Sequence, residues 1–185
     1  MEDTDRLLME RVRKGDEKAF EMLVARHQRM VYSLACRFMN DEHEADDIAQ
    51  ETFIRVYRAA SSYVPTAKFS TWLYTIVRNL CFNAIRKRNT ARILPLDDEA
   101  VPEPVSPAAS QLEVLLGNQI RDRIAAAVAK LPENMRLAVL LHKFNGMQYD
   151  EIAEIFQCSV NAVKLRVHRA KAILAAELGD LKDET

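Results

Sequence analysis

The chain has 185 residues, of which 49% are hydrophobic and 29% are charged, a composition that excludes disordered, collagen-like and low-complexity proteins. Only 4 Gly and 6 Pro leave few of the turns that a many-stranded sheet requires, so we expect an all-α fold. The formal net charge is only -1, but the charged residues are sorted into blocks that this sum conceals.

Two long amphipathic helices are predicted in the first third of the chain. Asp16 can cap the first, whose apolar residues recur at helical spacing from Phe20 to Phe38. After a turn at Asn40-Asp41, a second apolar stripe extends from Ala45 to Ala60. The polar face of this second helix contains acidic residues.

Three segments of the chain are strongly segregated by charge. Residues 40–54 contain six acids and no Lys or Arg. Residues 78–92 contain five basic residues and no acid, and residues 159–175 contain four basic residues, again without an acid. A chain sorted in this way can present one acidic face to a basic protein and two basic faces to nucleic acid.

A loop from Ser61 to Lys68 and a third helix, which Ser70 can cap, combine aromatic, amide and basic side chains. Aromatic faces stack on unpaired bases, amides bond to base edges and cations hold the backbone, so this segment predicts a reader of single-stranded nucleic acid. For Trp72 and Tyr74 a place in the apolar core is an equally good interpretation. The other candidates here are Tyr63, Lys68, Phe69, Arg78, Asn79, Asn83, Arg86 and Lys87.

A linker is predicted between two domains. Four of the six prolines lie between Asn89 and Ser110, where no apolar periodicity remains. Some 20 residues without periodicity are too many for a connection inside a compact domain. We therefore expect a first domain at 1–90, a flexible linker at 91–110 and a second domain at 111–185.

The second domain is predicted to contain a helix-turn-helix. A helix ends near Leu131, Pro132 starts another that Gly146 can end, and a short helix at 149–156 is followed by a three-residue turn. Ser159 can then cap a helix that is apolar behind and basic in front, which is the geometry that places side chains in a major groove. A solvated basic face on a bundle helix is the alternative. The outward candidates are Asn161, Lys164, Leu165, His168, Arg169 and Lys171, with Arg166 in the same run and Arg136 as a phosphate contact or a plain surface arginine.

Membrane insertion, export and bound cofactors are not expected. The longest apolar runs are far shorter than the roughly 20 residues that cross a bilayer, and the acidic N-terminus is unlike a signal peptide, so we expect a cytoplasmic protein. Cys36, Cys81 and Cys158 lie far apart without a CxxC pair, which favours reduced, packed thiols over disulfides or a metal site.

Several runs resemble those of a bacterial RNA polymerase sigma factor. Asp46 to Arg58 reads DDIAQETFIRVYR, Phe69 to Asn79 reads FSTWLYTIVRN, and Leu131-Pro132-Glu133 precedes the helix-turn-helix. In order and spacing they resemble the sigma-70 family, extracytoplasmic-function (ECF) subfamily. The resemblance implies two small helical domains, sigma region 2 and region 4, in a non-catalytic initiation subunit without a small-molecule substrate.

The resemblance also implies partners and residue roles. The acidic helix would dock on the clamp coiled coil of the largest subunit of core RNA polymerase, and the chain would also contact the β-subunit flap and promoter DNA. The loop would capture a base flipped from the minus-10 element, the third helix would hold the melted strand, and the last helix and Arg136 would contact the minus-35 element. An anti-sigma factor is an implied regulator. The polymerase-docking residues would be Asp46, Asp47, Gln50 and Glu51.

Two other functions are compatible with parts of the sequence. An all-helical nucleotide pyrophosphohydrolase would bind magnesium through carboxylates such as Glu44, Asp47 and Glu51, but it needs a second acidic helix, and the other dense acidic group, at 97–99, lies in the predicted linker. A two-domain regulator that binds duplex DNA without polymerase would explain the helix-turn-helix. It leaves the aromatic loop and the acidic face without a role.

Overall fold

The computed structural model describes residues 2–65, 67–93 and 113–179, and within these ranges the chain forms eight α-helices, one short 3-10 helix and no strand. The all-α prediction is confirmed. Most of the predicted linker, residues 94–110, and Thr66 of the predicted loop lie outside the described residues. The helices are α1 (Glu2–Arg13), α2 (Glu17–Met39), α3 (Glu42–Ala59), α4 (Phe69–Ile93), α5 (Glu113–Ala129), α6 (Glu133–Lys143), α7 (Tyr149–Phe156) and α8 (Val160–Glu177), with the 3-10 turn at Ala60–Ser62.

Side-chain caps define the ends of the main helices. Asp16 accepts a hydrogen bond from the backbone N–H of Ala19 at 3.1 Å and so caps α2 as predicted. That bond, followed by one from Arg11, lowers the pKa of the Asp16 carboxyl. Asn40 ends α2 in the left-handed region at φ 54°, a conformation that Asn tolerates well. Asp41 then caps α3.

Helix α1 was not predicted from the sequence. Its inner face buries Leu8, Met9 and Val12, and it packs on α2, on the 3-10 turn and on α4. Because the helix is short and mostly polar, its apolar stripe is too brief to stand out from a surface segment. The tertiary contacts of those three side chains stabilise it.

The two halves of the chain share one apolar core. Helices α1 to α4 form the first bundle, α6 to α8 form the second, and α4 packs against α7 while α2 packs against α6. The largest buried side chains come from both halves, for example Phe38 and Leu73 from the first and Leu137 and Ile152 from the second. The described halves are therefore docked on each other.

Several positions differ from the sequence-based predictions. Helix α4 begins at Phe69, so Ser70 lies in its first turn and is not its cap. Tyr57, which belongs to the predicted apolar stripe of α3, is exposed, and so are Ile120 and Ile124 of α5 and Val160 of α8. Tyr57 lies on the edge of its stripe, and Val160 is the first residue of α8.

The cysteines are free thiols, and Cys81 is buried. Burial raises the pKa of Cys81 to about 12 and also raises the pKa of Cys36, which makes these thiols poor nucleophiles. None of the helices described has the length and apolar character needed to cross a membrane.

Candidate protein and nucleic-acid interfaces

The predicted docking residues lie together on the outer side of α3. Asp46, Asp47 and Gln50 are exposed, and Glu51 is half-buried; we call these four residues the acidic face. Arg55 donates to Glu51 at 2.8 Å one turn later, and this hydrogen bond lowers the pKa of the Glu51 carboxyl. Within the described ranges no group of three or more His, Cys, Asp or Glu residues is arranged to hold a metal ion.

An apolar groove lies beside the acidic face, and sequence reasoning did not identify it. This α2–α3 groove has a volume of about 990 Å³ and is lined by residues of α2 and α3. Its two most exposed apolar side chains are Tyr57, at 49%, and Ile54, at 43%. Tyr57 belongs to the predicted apolar stripe of α3 and was expected in the core, so its exposure differs from the prediction. The apolar lining residues are Phe20, Val24, Ala49, Phe53, Ile54 and Tyr57.

An aromatic cluster lies under the loop from Ser61 to Lys68, which we call the promoter loop. The Tyr63 and Trp72 rings meet edge to face with centroids 4.8 Å apart, and Phe69 lies 5.7 Å from Trp72. Phe69 is only 3% exposed, so the structure corrects its expected placement: its ring supports the loop and does not face solvent. Tyr63 is half-buried, and so is Trp72, for which the sequence left both a core and a nucleic-acid interpretation open. Tyr74 belongs to the core.

The outer side of α4 presents amide and basic side chains along one stripe. Asn79, Asn83, Arg86 and Lys87 are all exposed, and their spacing of about one or two turns puts them on the same face. The tight grouping of amides and cations matches what a single strand requires: donors and acceptors for base edges and charges for phosphates.

Lys68 and Arg78 lie where the two halves meet. Lys68 forms an ion pair with Glu151 of α7 at 3.0 Å, and Glu151 also accepts from the backbone N–H of Gln148. The Arg78 guanidinium lies 5.2 Å from the centroid of Phe156 in α7. Burial, and then the nearby charge of Arg166, lower the pKa of Arg78. These two candidate minus-10 residues therefore face the second half of the chain in this conformation.

The helix-turn-helix forms as predicted. Helix α7 is followed by Gln157 in the left-handed region at φ 51°, and Ser159 caps α8 by accepting from the N–H of Ala162 at 3.2 Å. Val163, Val167 and Ala170 are the buried inner face of α8. The predicted outward set is exposed as a basic stripe with one apolar member, and consists of Asn161, Lys164, Leu165, His168, Arg169 and Lys171.

Two arginines predicted to contact DNA are engaged inside the protein. Arg136 donates to the backbone carbonyls of Phe38 at 2.9 Å and Leu131 at 3.1 Å, and also to that of Ala129. Arg166 lies 4.9 Å from the centroid of Phe156. The structure corrects the expected surface placement of both, because helix C-termini and an aromatic face attract the guanidinium groups inward.

Comparison with known proteins assigns the chain to a family. The family model described as Sigma-70 region 2 matches residues 23–91, and the model described as Sigma-70, region 4 matches residues 121–174. The RNA polymerase sigma-H factor of Pseudomonas aeruginosa is 35% identical over 99% of this chain and 98% of its own length. The chain belongs to the sigma-70 family. The ECF RNA polymerase sigma-E factor of Escherichia coli K12, 35% identical over 91% of both chains, places this sigma factor in the ECF group.

Solved structures share the arrangement of the helices. CnrH, solved in complex with the cytosolic domain of CnrY, matches with a TM-score of 0.73 at 29% identity and covers 96% of this chain and 99% of that chain. The sigma factor RpoE of Bartonella quintana, solved in complex with the anti-sigma factor NepR, matches with a TM-score of 0.67 at 22% identity over 88% of this chain and 98% of that chain. At 22% identity, the match to the Bartonella RpoE shows only that the two proteins share a fold. As a sigma factor, the chain is a transcription initiation factor.

Proposed function

We propose that this sigma factor joins core RNA polymerase through the acidic face and directs promoter recognition and melting through α4 and α8. The observation that supports this most strongly is the separation of charge on the folded surface. The acidic face lies on α3, while α8 presents a basic stripe in which no acid occurs between Ser159 and Ala175. One surface thus suits a basic protein and another suits DNA.

The polymerase surface combines the acidic face with the α2–α3 groove. We expect the clamp coiled coil of the largest subunit to bring basic side chains to Asp46, Asp47 and Glu51, while its apolar residues contact Ile54 and Tyr57. An apolar centre edged by charge is typical of protein–protein interfaces, in which the apolar contact supplies affinity and the charges supply orientation and association rate. Contact of the second domain with the β-subunit flap belongs to the same proposal.

The minus-10 surface is made of the loop and the exposed stripe of α4. Asn79 and Asn83 would hold the melted strand, and Arg86 and Lys87 would neutralise its phosphates. Lys68 is exposed but paired with Glu151, and Arg78 lies against Phe156, so both would bind this strand only after α7 has moved away. Joining the polymerase is therefore expected to separate the two halves before promoter melting.

Exchanging residues 64–68 for an equally long loop of a relative is expected to change base preference at the minus-10 element by about tenfold at one position, which is the size of one lost base contact. In this proposal the loop forms the pocket for the flipped base, and the exchange leaves the acidic face unchanged. The measurement is binding of the reconstituted holoenzyme to single-stranded minus-10 oligonucleotides that differ at one base. Unaltered preference would remove base selection from this loop.

Replacing Arg169 with Ala is expected to weaken binding to minus-35 duplex. The slope of log affinity against log salt concentration should become shallower by about one unit, because one phosphate contact is lost. Lys18→Ala, which removes an exposed cation on α2, is the matched control and should leave the slope unchanged. Titration of holoenzyme with minus-35 duplex at several salt concentrations gives both values. A wild-type slope in the Arg169 variant would contradict the contact.

Regulation by an anti-sigma factor is part of the proposal. CnrH was solved with the cytosolic domain of CnrY and the Bartonella RpoE with the anti-sigma factor NepR, and the docked halves of this chain resemble those two folds. Co-purification from the native cell tests for such a partner. Run-off transcription with core polymerase and genomic fragments, with and without this sigma factor, tests the function as a whole. Specific duplex binding by the isolated chain at moderate salt, without core polymerase, would instead favour an ordinary regulator.

A further inference from the structure

A polar triad joins α1 to α2, and two of its three members, Asp5 and His27, are buried. Nε2 of His27 lies 2.9 Å from Oδ2 of Asp5, and Nε of Arg26 donates to Oδ1 of Asp5 at 2.7 Å. Asp5 and His27 are each only 6% exposed. Because a carboxylate can only accept, Nε2–H of His27 is the donor, which sets the orientation of the imidazole ring.

The imidazole supports the aromatic cluster under the promoter loop. The His27 and Phe69 ring centroids are 5.1 Å apart, and Phe69 in turn contacts Tyr63 at 6.3 Å. Within the loop, Tyr63 lies directly before residues 64–68 and Phe69 directly after them, so both ends of this segment are fixed on the cluster. Helix α1 also packs directly on the 3-10 turn at Ala60–Ser62 and on α4, which follows the loop.

We infer that Asp5 is a positioning residue for minus-10 recognition, acting through His27 and Phe69 to hold the two ends of the promoter loop in place. The inference rests on the proposed function of that loop. Residue 5 lies outside the sigma region 2 match, which begins at residue 23. Helix α1 therefore acts as a support for a promoter-reading element to which it contributes no base contact.

The physical reason is the cost of leaving buried polar groups without partners. If the Asp5 carboxylate is removed, the Nε2–H of His27 loses its acceptor in a site that excludes most water, while the exposed Arg26 loses the partner of its Nε–H. The imidazole is then free to rotate toward another acceptor, and the face that contacts Phe69 changes. A small displacement of a supporting side chain is sufficient to loosen a recognition site.

The test compares three variants of the full-length chain. Asp5→Ala removes both acceptors. Asp5→Asn can keep both hydrogen bonds with one acceptor and one donor, since its Oδ1 accepts from Arg26 while its Nδ2 donates to Nε2 of the other tautomer of His27. Glu10→Ala is the matched control, because it removes an exposed acid from the same helix.

Two measurements report on the loop. Trp72 is the single tryptophan, so its fluorescence emission in the free chain reports the packing of the cluster. Selectivity is the ratio of holoenzyme affinities for a minus-10 oligonucleotide and for one altered at the flipped base. For Asp5→Ala we expect a red-shifted emission and a selectivity reduced by about three- to tenfold, with unchanged affinity for core polymerase. The selectivity of Asp5→Asn should be within about twofold of wild type, and the selectivity of Glu10→Ala should equal that of wild type.

The outcomes separate this inference from the proposed function. Wild-type holoenzyme without minus-10 preference would refute the proposed function and the inference together. Normal wild-type preference that Asp5→Ala leaves intact, or a loss that Asp5→Asn does not restore, would refute the inference alone. If Asp5→Ala fails to fold, His27→Gln decides, because it keeps a donor for Asp5 but removes the ring from Phe69: unchanged Trp72 emission and selectivity in that variant would overturn the positioning role.

Discussion

Reversing Asp47 and Glu51 to Lys together is expected to weaken association with core RNA polymerase by roughly 100-fold or more, since each like-charge contact at an interface costs about 1.4 kcal/mol or more. Asp47 is exposed and Glu51 is half-buried on α3, so the helix itself should remain intact. The measurement is affinity for core polymerase at fixed ionic strength, with circular dichroism as a check of folding.

A charge-matched control distinguishes this interface from a general effect of net charge. Glu10 and Asp122 are exposed acids outside the acidic face, and reversing both changes the net charge by the same amount. We expect that control to bind core polymerase as the wild type does. Because the wild-type interaction is electrostatic in part, its affinity should also fall as salt rises. Unchanged binding of the Asp47 and Glu51 variant would refute docking through the acidic face.

Replacing Arg136 with Ala is expected to lower the free energy of unfolding by about 2–4 kcal/mol and the Tm by on the order of 5–10 °C. The guanidinium donates to carbonyls at the C-termini of both α2 and α5, where the helix dipoles favour a cation. Burial lowers the pKa of Arg136, which reflects how far the group is removed from water. Thermal unfolding of the free chain gives the measurement.

The Arg169→Ala variant is the natural comparison for Arg136→Ala. Arg169 is exposed on α8, so its loss should flatten the salt dependence of minus-35 binding and leave the Tm near that of wild type. Arg136→Lys should be intermediate in stability, because an ammonium lacks the planar fork that reaches several carbonyls. A wild-type Tm in Arg136→Ala, together with a flatter salt slope, would return Arg136 to the role of a phosphate contact.

Local periodicity was sufficient for most of the helical framework. The apolar stripes of α2, α3 and α8 and the caps at Asp16 and Ser159 involve residues within a few positions of each other, which is the range over which helical patterns operate. Helix α1 was not predicted, because Leu8, Met9 and Val12 form an apolar stripe that is too short to indicate a helix. Residues at the edge of a stripe, such as Tyr57, could not be assigned without knowing which neighbour covers them.

The sequence by itself determined the all-α class, the helix-turn-helix and the segregation of charge between α3 and α8, because these follow from composition and from side chains close together along the chain. Only the tertiary structure decided that Arg136 and Arg166 point inward, that Phe69 lies beneath the loop and that Asp5 reaches His27. Arg136, Phe69 and Asp5 depend on partners far away in sequence, and Arg166 depends on a ring of the preceding helix. The free energy of burying or pairing a side chain depends on what surrounds it in space.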